Sequence, residues 1–173
     1  NANPSECMKI VREMNMPCVM GNHDEYVGKD IDLSSFNPVA AEAVIWTREQ
    51  LTEEERKWLR DLRYIRLVDS FSIVHSTMDT PRFWGYVQTE HDAEMSFNYQ
   101  NTPVCFHGHT HVPVAFEKNA KVKGGAYDEI NIQKGKKYFV NVGSVGQPRD
   151  GDPRAAYVVY DTDAGIIKLH RLN

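Results

Sequence analysis

Imidazole and amide side chains stand at the ends of three apolar runs in this sequence. Asn22 and His23 follow "PCVM" at 17–20, His75 closes "FSIV" at 71–74, and His107, His109 and His111 follow "PVCF" at 103–106. Imidazole nitrogens suit Mn, Fe, Ni, Cu or Zn, and an Asn carbonyl oxygen suits harder cations, so the mixed set fits a divalent transition metal better than calcium. Histidines two apart in extended chain point the same way, which lets His109 and His111 reach adjacent positions, and His107 is read as structural. Gly108 permits a tight backbone path beside an ion. Each cluster also has a plainer reading. A histidine at a strand end can be an ordinary hydrogen-bonded residue, and "GNHD" at 21–24 can be a turn. Three clusters in this order, each after an apolar run, favour the chemical reading. His91 and His170 lack such company and take no role.

These groups need a scaffold, and its elements are legible in outline. Asn3-Pro4 and Asn37-Pro38 have the composition of helix starts. After the first, Cys7, Ile10, Val11 and Met14 recur at helical spacing. Thr52 and Glu55 form a capping box for a third helix. "PCVM" reads as a short buried strand, and residues 64–76 as two strands about a turn at Asp69-Ser70. Residues 76–90 are loop-like and aromatic, with Phe83, Trp84 and Tyr86. A short helix over 92–99 precedes the strand into "HGHTH", and strand patterns separated by Gly, Asp and Pro dominate after Val112. Helices alternating with strands early, and strands late, predict a single α/β domain over residues 1–173, a layered sandwich built on one or two mixed sheets. In such sheets loops converge over the C-terminal ends of the strands, where these clusters fall.

Composition narrows the function. The chain has 173 residues, 41% of them apolar and 25% charged, with a net charge of −4. That balance argues against a nucleic-acid binder working by phosphate neutralisation. No apolar run reaches the roughly 18 residues a membrane span needs. Lys118, Lys121, Lys123, Lys134, Lys136 and Lys137 read as a solvated hairpin rather than a basic binding patch. Cys7, Cys18 and Cys105 are odd in number and widely spaced, which predicts buried thiols in a reducing compartment, the cytoplasm.

With these residues in view, the sequence resembles the calcineurin-like metallophosphoesterases. "GNHD" at 21–24, "VHST" at 74–77 and "GHTH" at 108–111 are similar to three motifs of that family in the right order. The segment from Asn141 to Asp161 resembles the small bacterial branch that includes YfcE-type phosphodiesterases, with Asn141-Val142-Gly143-Ser144 where that branch usually has Asn-Pro-Gly-Ser. The resemblance implies that Asn22, His75 and His109 bind one divalent ion (Mn, Fe, Ni or Zn) and His111 a second. It makes His23 the acid near the leaving oxygen, with Asp24 as its orienting partner. The implied reaction is hydrolysis of phosphomonoesters or phosphodiesters by in-line attack of a metal-bound hydroxide, with a small phosphoester or nucleotide as substrate.

The same resemblance exposes a gap. The family also uses an Asp-x-His pair and a Gly-Asp-x-x-Asp motif, both upstream of "GNHD", and neither occurs in these residues. The fold that the resemblance implies is a layered α/β/β/α sandwich of mixed sheets, and by that comparison the chain lacks its first strands and the carboxylate that bridges the two ions. Two dications at short range repel strongly without an anion between them. The expectation is therefore two metals in the intact protein, and at most one, with no activity, in this chain alone. A second reading is a catalytically silent scaffold of the same fold that binds a protein partner. Arg149 and Arg154 either grip substrate phosphate as forks or close a surface turn with their own ion pairs. The aromatics of 76–90 either stack on a nucleobase or pack.

Overall fold

The computed structural model describes residues 3–173. The chain divides into two compact units, one ending at Tyr64 and the other running from Ile65 to Asn173.

The first unit is helical, with α1 (Pro4–Glu13), α2 (Asn22–Gly28), α3 (Pro38–Gln50) and α4 (Glu53–Asp61). Local chemistry explains most of the starts. Asn37 Oδ1 accepts the Val39 N–H at 3.0 Å, beside a proline with no N–H to lose. Thr52 and Glu55 close the expected box, the backbone N–H of each donating to the other's side chain at 2.8 and 3.2 Å. At α1, Asn3 sits in the left-handed region (φ 54) and its side chain caps nothing. The predicted strand "PCVM" is replaced by one parallel bridge between Val19 and Arg63. A single bridge is no ladder, and the chain turns directly into α2.

Met8, Val27, Val44, Leu51 and Leu59 form the core of this unit. The expected stripe on α1 is not its buried face: Cys7 is exposed, Ile10 and Met14 are more than half exposed, and Met8 goes inside. Unbranched Met reaches a core shared with three other helices. Three arginines then collect the open carbonyls at the end of α2. Arg48 donates to Tyr26 O at 2.6 Å and Lys29 O at 2.8 Å, Arg56 to Val27 O at 3.2 Å, and Arg60 to Gly28 O at 2.8 Å. Gly28 allows this approach, since a Cβ there would stand 3.2 Å from both Leu59 and Arg60 side chains.

The second unit contains β1 (Ile65–Val68), β2 (Phe71–Val74), α5 (Glu90–Phe97), β3 (Val104–His107), β4 (Val114–Lys118), β5 (Val122–Gly125), β6 (Glu129–Asn131), β7 (Lys137–Asn141), β8 (Ala155–Asp161) and β9 (Ile166–Leu172). A six-stranded sheet has the order β1-β2-β3-β7-β4-β5, and an antiparallel sheet the order β6-β9-β8. Strands β2, β3 and β7 are parallel neighbours. Their apolar runs suit central strands covered on both faces. On one face α5 contributes Ala93 and Phe97 to a core with Val74, Cys105, Phe116 and Phe139. On the other, Val104, Tyr138 and Val140 meet Ile167, Val158 and Tyr160 of the small sheet. Helix, mixed sheet and second sheet are thus stacked in layers, the mixed α/β arrangement that the pattern predicts.

Strand β5 carries no strand signal in its Lys- and Gly-rich sequence. Pairing makes it: β4 and β5 form an antiparallel hairpin, and a Cβ on Gly124 would lie 2.3 Å from the Phe116 ring. Only glycine lets that ring lie across the strand. Lys118, Lys121 and Lys123 sit on this hairpin. Among the described residues no helix is long and apolar enough to cross a membrane.

Candidate functional site

Parallel pairing of β2 with β3 puts both C-terminal ends on one edge of the sheet, and the Gly108 N–H donates to His75 O at 2.9 Å to tie them. Just beyond, His75 Nε2 and His109 Nδ1 stand 3.1 Å apart. His109 is 8% exposed. Its Nε2 lies 2.8 Å from the Trp84 carbonyl. A carbonyl only accepts, so Nε2 carries the proton and Nδ1 turns a lone pair toward His75. The Tyr86 ring stacks on the same imidazole, with centroids 4.5 Å apart and planes 23° apart. The Trp84 ring meets His75 edge-on at 5.7 Å.

His111 is anchored separately. Its Nδ1 lies 2.7 Å from the Gln147 carbonyl, so it has the opposite tautomer and its Nε2 holds the lone pair. Burial first, and then the Arg149 guanidinium, hold its pKa below the ordinary imidazole value.

The extended path expected for "HGHTH" does not form. Strand β3 stops at His107, and His109 (φ 65) and His111 (φ 63) are both left-handed. Asn141 at the end of β7 explains the bends. Its Nδ2 donates to Gly108 O at 2.6 Å and to Thr110 Oγ1 at 2.9 Å, and its Oδ1 accepts the Gly143 N–H at 2.9 Å. His107, the last residue of β3, is buried. It stacks on Phe139 at 4.1 Å, and burial pushes its pKa down to about 3, so it stays neutral.

In the first unit, Asn22 and His23 open α2, with Asn22 half-buried and His23 exposed. The His23 ring meets Tyr26 edge-on at 6.0 Å. Asp24 Oδ2 accepts the Gly21 N–H at 2.8 Å, and burial raises its pKa.

In the turn over 146–154, exposed Arg149 donates from its backbone to His111 O at 3.1 Å and from Nη2 to Gln147 Oε1 at 3.0 Å. Arg154 instead forks onto Asp152, with contacts from 2.7 to 3.2 Å. Arg171 pairs with Asp150. Ion pairs within the turn therefore account for Arg154. Among the cysteines, Cys105 is buried, Cys18 half-buried and Cys7 exposed, which corrects the expectation of three buried thiols.

Among the described residues no three His, Cys, Asp or Glu side chains gather as a metal-holding group. The structure brings His75 and His109 together. Their separation is that of a hydrogen bond between the two rings, and it is also compatible with two ligands on one ion: metal–nitrogen bonds of about 2.0–2.1 Å put two adjacent imidazole nitrogens about 2.9 Å apart at a right angle and about 3.3 Å apart in a tetrahedron. The observed 3.1 Å lies between. A carbonyl behind a ligating imidazole is the usual outer support, and His109 has one in Trp84.

The sequence pointed to Tyr86 only as one of the loop aromatics that stack on a nucleobase or pack, and gave no role to the Asn141 side chain or to the carbonyls of Trp84 and Gln147. Asn141 had a usable signal, being a polar amide directly after the apolar run "YFV". The carbonyls had none, since every residue carries one.

The model of the calcineurin-like phosphoesterase superfamily domain matches residues 2–165. An uncharacterized protein of Methanocaldococcus jannaschii is 34% identical over 177 aligned positions, which cover 99% of this chain and 70% of the relative. The crystal structure of a metallophosphoesterase from Sphaerobacter thermophilus is similar at a TM-score of 0.81 and 35% identity, covering 97% of this chain and 71% of that one. A hypothetical protein from Pyrococcus horikoshii shares the fold at a TM-score of 0.67 and 16% identity, over 97% of this chain and 67% of that one.

Proposed function

Because the chain belongs to the calcineurin-like phosphoesterase superfamily, we propose that it carries metal-binding and proton-donating groups of a metal-dependent hydrolase of phosphomonoesters or phosphodiesters. The observation that carries this reading is the His75–His109 pair, two imidazole nitrogens 3.1 Å apart with the tautomer of one set by a backbone carbonyl. A divalent ion (Mn, Fe, Ni or Zn) supplies Lewis-acid stabilisation of phosphoryl oxygens and lowers the pKa of bound water.

The chain's own residues supply the rest. In this reading Asn22 is a metal-ligating amide, His75 and His109 ligate through their facing nitrogens, and His111 offers Nε2 to a second ion. His23 delivers a proton to the leaving oxygen. Asp24 favours the charged, oriented form of that imidazole. Arg149 offers an exposed fork to substrate phosphate. The Asp-x-His and Gly-Asp-x-x-Asp motifs of the family's two-ion centre do not occur in these residues, so turnover requires a segment that carries them.

The test has two parts. Calorimetric titration of the chain with Mn2+ should show binding that His109→Ala abolishes. The chain joined to a segment bearing both motifs should hydrolyse chromogenic mono- or diester phosphates, and His23→Ala should lose turnover while keeping metal. Absence of binding for all four ions overturns the reading. Metal retained without turnover on either ester class favours the catalytically silent scaffold.

A further inference from the structure

We propose that Tyr86 and the backbone carbonyl of Trp84 are positioning groups that hold the His109 imidazole in one tautomer and one ring orientation, with Nδ1 toward His75. This rests on the reading of His75 and His109 as metal ligands, and adds the residues that make one of them competent.

Two contacts act on different freedoms of the ring. The Trp84 carbonyl, 2.8 Å from Nε2, fixes which nitrogen is protonated. The Tyr86 ring, stacked at 4.5 Å and 23°, holds the plane of the imidazole, so that Nε2 stays aimed at the Trp84 carbonyl and Nδ1 at His75. A half-turn about Cβ–Cγ keeps that plane but exchanges Nδ1 with Cδ2 and Nε2 with Cε1, and the two polar contacts oppose it. It would put a carbon against the Trp84 carbonyl and another toward His75, so both polar contacts would vanish together.

The loop that carries these groups is built for the task rather than for the core. Tyr86 is 52% exposed, so burial does not explain an aromatic ring there. Trp84 adopts φ 55, a left-handed backbone that a bulky side chain rarely accepts. Strain of this kind persists where its surroundings over-determine it, and it clusters at functional sites. Here the loop is pinned at both ends by Met78 and Val87, both in the core beneath the sheet edge. Within it the Phe83 N–H donates to Thr80 O at 3.0 Å. Gly85 packs against Thr77, where a Cβ would meet the Thr77 methyl at 3.2 Å. The span between the anchors thus delivers one carbonyl and one ring to a single imidazole.

The experiment compares the full chain with Tyr86→Leu and Tyr86→Phe. Two readouts are used: calorimetric Mn2+ affinity, and the tautomer of His109 from 15N imidazole shifts of the metal-free protein. Tyr86→Leu should weaken Mn2+ binding about 10-fold, the lower end of what outer-shell losses cost, and should give a mixture of His109 tautomers. Tyr86→Phe keeps the stack and should match the parent in both. Unchanged melting temperatures show that the fold is intact. A Tyr86→Leu variant with parental Mn2+ affinity and a single Nε2–H tautomer overturns the proposal. If the parent binds none of Mn2+, Fe2+, Ni2+ and Zn2+, the metal reading falls, while the imidazole shifts still decide whether Tyr86 and Trp84 position the ring.

Discussion

His75 and His109 face each other through Nε2 and Nδ1 across 3.1 Å, from the ends of two parallel strands. Since His109 keeps its proton on Nε2 for Trp84, the proton between the rings belongs to His75. A cation that enters here displaces that proton and stabilises only the folded chain. The melting temperature should therefore climb with the logarithm of added Mn2+, the stabilisation reaching about 2.7 kcal/mol at one hundred times Kd. His75→Ala and His109→Ala should each remove the climb. A climb that survives both substitutions places the ion elsewhere.

Asn141 holds the bend that presents His109. Its side chain is fully buried and joins Gly108, Thr110 and Gly143. Asn141→Asp turns a donor into an acceptor facing the Gly108 carbonyl, and a buried group left unpaired costs about 1–3 kcal/mol. Urea denaturation should show a loss of roughly 2–4 kcal/mol, because both the donor and its partner carbonyl are affected. Mn2+ affinity should fall with it. A loss under about 0.5 kcal/mol, the range of ordinary surface changes, removes Asn141 from this role.

Much of this was legible from residue types. The runs that became β2 and β3, the turn at Asp69 and the cap at Thr52 follow from period and local chemistry. Short apolar strands and reciprocal caps are decided within a few residues. The failures share a different cause. "PCVM" lacks a partner beyond one bridge, and β5 exists because Phe116 needs a glycine strand beneath it. The left-handed turns at His109 and His111 are imposed by Asn141, some thirty residues away in sequence. The tautomers depend on carbonyls, which no residue letter distinguishes. What tertiary partners impose was illegible, and the reach of the site belongs to that part.

The cysteines offer a test of burial against sequence. Cys105 is fully buried and its thiol is pushed up by desolvation, while Cys7 is exposed. Each unit of pKa removes a factor of ten in thiolate, the reactive form. A chromogenic disulfide reagent at pH 8 should therefore modify Cys7 at least about 100-fold faster than Cys105. Both should react alike in urea. Comparable native rates, located by mass spectrometry, contradict the buried placement of β3.

Asp152 gives the pH-dependent prediction. The Arg154 fork first, and Arg171 more weakly at 4.0 Å, hold its carboxyl down at about 2 from the ordinary 3.8. A carboxylate with a depressed folded pKa stabilises the fold above its unfolded value and loses that contribution as pH falls through the folded one. The window here is therefore pH 4 down to about 2. Both partners of the fork are solvent-accessible, so the effect on stability is small and screened by salt. The sharper readout is the carboxyl 13C shift of Asp152, with a midpoint near 2 in the parent. In Arg154→Gln that midpoint should move toward 3.8 without reaching it, since Arg171 still contributes. An unchanged midpoint would mean the fork is not formed in solution, and Arg154 would again be available to substrate phosphate.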